Sequence, residues 1–167
     1  MTHDSIPMAR SAVLDGFEIT ARSFGLDPGG LLRTARIPDA SLRDADLPIP
    51  TASVITLLEQ ASAAAGTPSF GLLMAQARAI SVLGPVALLM REQPDLRGAL
   101  SSLTRLGWAQ AEGLESSLED DGETTILSFS LSPGLPHPAN QTIELTIAAI
   151  VRLLRHFLGP DWSPQML

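Results

Sequence analysis

The stretch LESSLEDDGETTILSFSL, residues 114–131, changes the period of the chain and so decides its fold class. Leu114 and Leu118 alternate with polar positions, and Leu127, Phe129 and Leu131 do the same after the reversal. A period of two places apolar side chains on one face of a strand. Asp121-Gly122 stands where a hairpin must turn. Glu119, Asp120, Asp121 and Glu123 crowd that turn. Acid–base or cation chemistry needs burial or a framing loop, so with Gly122 among them these carboxylates read as a solvated turn.

Upstream the pattern is helical. Pro7 is placed to open a helix running to about Ser23. In GLDPGGLLRTARIPD, Asp27 is an N-cap and Pro28 a first helical residue. DADLPIP, residues 44–50, reads as a proline-rich connector, after which Thr51 caps a helix closed by Gly66. Shorter helices are expected over Phe70 to Ala77, from Pro85, and over residues 95–109 beyond Pro94. Downstream, ANQTIELTIAAIVRLLRHFLG carries Ile143, Ile147, Ile150, Val151, Leu154 and Leu158 on one helical stripe. Its start also alternates like a strand, and its length favours helix. The expected fold is α+β: a mostly helical part over residues 1–110, then a hairpin and a long C-terminal helix over residues 111–160.

Composition narrows the function. The 167 residues fit one domain with a real core. Charged residues are 17 % against about 25 % in an average domain, which suggests apolar surface that expects cover. The net charge is −7, so these residues are repelled by phosphate backbones. All 11 side-chain cations are Arg, and Cys is absent, which excludes disulfides, thiolate metal sites and cysteine catalysis. No GxSxG, GxGxxG or HExxH occurs, and without Lys there is no P-loop. His3, His137 and His156 lie far apart, without metal-ligand spacing. No catalytic group, metal or cofactor is expected. The N-terminus lacks an apolar signal region and no window is apolar enough to span a membrane, so the expectation is a soluble cytoplasmic protein.

One helix stands out. At about 100° per residue, Leu96, Ala99, Leu100, Leu103 and Leu106 share one side of the segment over residues 95–109. Arg97, Ser101, Thr104, Arg105 and Trp108 share roughly the other. Two guanidiniums, hydroxyls and an indole suit an anionic or flat ligand, and Arg97, Ser101, Arg105 and Trp108 are the candidate ligand-binding residues. A packing surface for the β part of the fold is the alternative, since amphipathic side chains also cover apolar neighbours.

The order of segments resembles a known family. GLDPGGLLRTARIPDASLRDADLPIP (25–50), PSFGLLMAQ (68–76), SVLGPVALLMREQPDLRGALSSLTRL (81–106) and LGPDWSP (158–164) are similar to the N-terminal regulatory domain of AraC-type bacterial transcription regulators, in the arabinose-binding-domain group. The chain departs from the usual pattern at Arg91-Glu92-Gln93-Pro94-Asp95-Leu96. The resemblance implies a single effector-sensing or dimerising domain that controls a helix-turn-helix DNA-binding half lying outside this chain, and a chain truncated before the final β elements. It also implies a small-molecule effector and a homodimer as partners, with no membrane contact. An interaction or dimerisation module with no small-molecule ligand remains the second reading.

Overall fold

The computed structural model describes residues 6–78, 88–90 and 92–166. The chain is α+β, as the change of period requires. Its start departs from expectation, because no helix begins at Pro7. Met8–Arg10 (β1) is instead a short strand, antiparallel to Pro48–Pro50 (β2), with Ala9 opposite Ile49. On its other side the Arg10 amide donates to the Gln110 carbonyl at 2.9 Å and the Glu112 amide donates to the Met8 carbonyl at 2.8 Å. Met8 and Arg10 therefore turn their polar groups away from β2. The missing N–H groups of Pro48 and Pro50 cost the pairing nothing, so the expected connector serves as a strand.

A 3-10 turn over Ser11–Leu14 follows, then the helix Phe17–Ser23 (α1). Gly16 joins them with φ of 83°, and a Cβ there would lie 2.8 Å from the Met74 carbonyl oxygen. Helix Pro28–Thr34 (α2) starts as expected, with Asp27 Oδ1 accepting from the Gly29 amide at 3.1 Å. Helix Thr51–Ala65 (α3) ends at Gly66, but Thr51 is not its cap. Pro50 holds that position, and the buried Thr51 hydroxyl donates to the Glu112 carbonyl at 2.9 Å. The hydroxyl thus ties α3 to the segment entering the hairpin.

Helix Phe70–Ala77 (α4) matches expectation. The helix expected from Pro85 falls mostly outside the described residues; residues 88–90 are helical. Asp95 caps Leu96–Leu106 (α5), its Oδ1 accepting from the Gly98 amide at 2.8 Å. The hairpin pairs Leu114–Asp120 (β3) with Thr125–Leu131 (β4). The register sets Leu114 opposite Leu131, Ser116 opposite Phe129 and Leu118 opposite Leu127, all on the inward face. Helix Asn140–Leu158 (α6) closes the fold, so its strand-like opening is helical.

Two apolar clusters share α6. The first gathers Phe17, Leu32, Ile49, Leu57, Leu58, Phe70 and Met74 around α3 and α4 and takes Leu145 from α6. The second gathers Met90, Leu100 and Leu103 with Ile150, Leu153 and Leu154, under Leu118, Leu127, Phe129 and Trp162. This division corrects the expected α6 stripe. Gln141 and Leu145 are buried on the side nearest α4, while Ile143 and Leu158 are each 42 % exposed. The helix buries one face near its start and a rotated face further on, because it serves two cores in succession.

Gly71 lets α4 and α6 cross closely. A Cβ on Gly71 would collide with the Gln141 carbonyl. The Gln141 side chain completes the crossing, accepting from the Gly71 amide at 2.8 Å and donating to the Pro68 carbonyl at 2.9 Å. Further along, the Arg152 guanidinium donates to the carbonyls of Ala75 and Arg78, satisfying groups that the end of α4 leaves without helical partners.

Candidate functional site

The amphipathic reading of α5 is visible in the packing. Ala99, Leu100 and Leu103 are buried, while Arg97, Ser101 and Arg105 are exposed. Arg97 Nη1 lies 2.7 Å from Asp120 Oδ2, with the Arg97 side chain 62 % exposed and that of Asp120 only 13 %. This pair latches α5 to the end of β3. Thr104 donates to the Ser101 carbonyl at 3.1 Å. The Arg105 side chain has no ion pair or hydrogen bond among the described residues. The Trp108 side chain lies outside what the structure describes.

The acidic turn is solvated. Asp120 Oδ1 accepts from the Gly122 amide at 2.8 Å, and Asp121 Oδ1 accepts from the amides of Thr124 at 2.8 Å and Glu123 at 3.0 Å. The Thr124 bond first, then that of Glu123, holds the Asp121 carboxyl below its usual value. Among the described residues no three His, Asp or Glu side chains group as a metal site.

Two grooves lie elsewhere, and Arg97, Ser101 and Arg105 line neither. The first, about 520 Å³, opens between the turn entering α1, α1 itself and residues 41–45. Its charged walls are Asp15, Glu18, Arg22 and Arg43. Glu18 and Arg22 pair one helical turn apart at 2.7 Å. Beside it, Arg78 donates to the Ala12 carbonyl at 3.3 Å. Burial lowers the Arg78 pKa most; Asp15 opposes that and Arg152 adds to it.

The second groove, about 400 Å³, lies between α3 and the start of α6, beside Glu59, Asn140, Gln141 and Glu144. Glu59 accepts from the Gln141 amide at 2.8 Å and so caps α6. Burial chiefly, and Glu59 next, pushes the Glu144 carboxyl above its usual range.

The sequence reading missed both grooves. The spacing of Glu18 and Arg22 is a visible pair signal, but nothing local says that residues 41–45 come back over α1. Each groove joins segments distant in sequence, whereas the α5 face is a local pattern that a helical wheel can find.

The geometry defines an α+β domain with a long C-terminal helix, and comparison with known proteins gives its family. Residues 25–167 match the N-terminal arabinose-binding domain of AraC transcription regulators, and the chain belongs to that family. It is a family of transcription-regulator domains rather than a class of enzymes, and the resemblance read from residues 25–50, 68–76, 81–106 and 158–164 holds. Among curated proteins the chain is similar to the HTH-type transcriptional regulator VirS of Mycobacterium tuberculosis, in strains CDC 1551 / Oshkosh and ATCC 25618 / H37Rv. Each is 29 % identical over 157 residues, covering 92 % of this chain and 46 % of the relative. The chain therefore spans about half the length of the curated relatives it matches. No helix among the described residues is long and apolar enough to cross a membrane.

Proposed function

We propose that this chain is the effector-sensing domain of an AraC-type regulator, and that a small molecule bound in the groove beside α1 sets the activity of a separate DNA-contacting half. The observation that carries the reading is that groove of about 520 Å³. It falls within the roughly 300–1,000 Å³ usual for small-molecule sites and combines apolar walls with a few charged groups. The net charge of −7 supports assigning DNA contact to another part of the regulator. Such a protein works in the bacterial cytoplasm.

The mechanism is a population shift. An effector that binds one arrangement of the domain better than another moves the balance between them, by no more than its difference in affinity. The family name points to a sugar, but among the described residues no aromatic side chain lines either groove to stack on one.

A second reading, a dimerising module with no small-molecule ligand, is favoured by the half-exposed Ile143 and Leu158 on α6. In that reading Arg97, Ser101 and Arg105 form a docking face rather than a ligand site. Thermal unfolding against a metabolite panel, run beside light scattering, separates the two. Sensing requires a midpoint that rises with ligand concentration and ceases to rise in the groove-filling variant Ala45→Trp. A flat panel with a stable dimer supports the module instead.

A further inference from the structure

The geometry points to a small carboxylate with an aliphatic tail as the ligand of the groove beside α1, with Arg43 as the residue that takes its carboxylate. The inference rests on the sensing reading above and adds the chemical class of the effector. It begins with the charges. Both acids on the groove wall already face cations: Glu18 is paired with Arg22 at 2.7 Å, and Asp15 lies near enough to Arg78 to favour its charge.

Arg43 differs, its side chain making no ion pair or hydrogen bond among the described residues. The acids nearest it in sequence are engaged elsewhere or out of reach. Asp46 is held by Arg10 at 2.6 Å, and Asp44 Oδ1 accepts from the Asp46 amide at 3.0 Å. Asp39, four residues earlier, makes no ion pair with it. One guanidinium on the groove wall is thus left for a ligand. A guanidinium presents parallel N–H donors that match the two oxygens of a carboxylate.

The surroundings are less acidic than the chain as a whole. Arg22 and Arg43 line the groove, and Arg78 stands beside its Ala12 wall. Arg152 is close enough to Arg78 to disfavour its charge. The lining itself carries two cations and two carboxylates, an even balance in a protein whose net charge is −7.

The remaining walls are aliphatic, with Leu14, Leu42 and Ala77 among them. At the rim Ile19 is 65 % exposed, an apolar side chain that an aliphatic tail would cover. Anchor and tail surface together select a monocarboxylate over a bare anion.

The test is calorimetric titration of the 167-residue chain with butyrate, hexanoate and octanoate, using hexanamide and hexylamine as controls. The expected result is binding of the three acids, tightening by about four-fold for each methylene buried, with neither control bound. Arg43→Gln, at an exposed position, is expected to leave the melting temperature unchanged and weaken hexanoate by about ten-fold or more. Ile19→Ser is expected to weaken octanoate more than butyrate. Equal binding of hexanoate and hexanamide overturns the inference, as does hexanoate binding unaltered by Arg43→Gln. If no acid binds but another metabolite gives a midpoint rise that Ala45→Trp removes, the carboxylate assignment fails and the sensing reading stands. If nothing binds in a manner sensitive to Ala45→Trp, both fail.

Discussion

The two clusters along α6 are built differently. Around α3 and α4, Phe17, Phe70, Leu57, Leu58 and Met74 are wholly buried, and the rings of Phe17 and Phe70 meet at 6.1 Å between centroids. Beneath the hairpin, Leu118, Leu127 and Phe129 are only half-buried, although they sit on its inward face. The first cluster is enclosed by helices on several sides, whereas the second is roofed by two strands. The contrast teaches where rigidity and adaptability lie: a fully enclosed side chain has no room to re-pack, and a half-covered one does.

The largest effect tests that contrast directly. Phe70→Ala is expected to destabilise by about 3–5 kcal/mol in urea unfolding, from lost transfer energy plus a cavity. Phe129→Ala is expected to cost about 1–1.5 kcal/mol, in proportion to its partial burial. Equal losses would abolish the distinction between the clusters.

An intermediate effect concerns the crossing of α4 and α6. Gln141→Leu keeps the volume but leaves the Gly71 amide and the Pro68 carbonyl without partners. The expected loss is about 1–3 kcal/mol. A neutral outcome in the same unfolding measurement would show that the crossing relies on shape alone.

The smallest effect is one of pH. The Glu144 carboxyl is raised by burial and then by Glu59, so the folded chain holds that proton more tightly than the unfolded chain does. Stability contributed by this group therefore falls as pH rises from the ordinary glutamate range through the raised value. Glu144→Gln should melt higher than the parent chain at neutral pH, with the gap closing as the solution is acidified through that window. A gap independent of pH would remove Glu144 from the account.

How far the sequence disclosed all this depends on whether the signal was local. The Asp27 cap, the Gly66 stop and the register-setting alternation of residues 114–131 are each decided within a few residues, and each stands in the structure. The pairing of β1 with β2 was not legible. Its strands are three residues long, two of the six residues are prolines, and its hydrogen bonds reach residues 110 and 112. Pro7 and Thr51 suggested helix starts by residue type, but long-range bonds to Thr51 and Met8 overrode both. The outward placement of Arg97, Ser101 and Arg105 was legible for the same local reason as the Asp27 cap. The groove containing Arg43 was not, because its walls come from three separate segments, residues 11–22, 41–45 and Ala77.

The glycine at the crossing has a mechanical side. Helix α6 runs 19 residues, about 28 Å at 1.5 Å per residue. Gly71 meets it at Gln141, the second residue of the helix, so the crossing is a fulcrum with nearly all the rod on one side. A tilt of about five degrees there sweeps the far end, near Leu158, through about 2 Å. Beyond that end the chain folds back, with the Arg155 side chain bonded to the Trp162 carbonyl at 2.9 Å. An angular change too small to disturb the buried phenylalanines would arrive at Trp162 as a displacement comparable to a bond length.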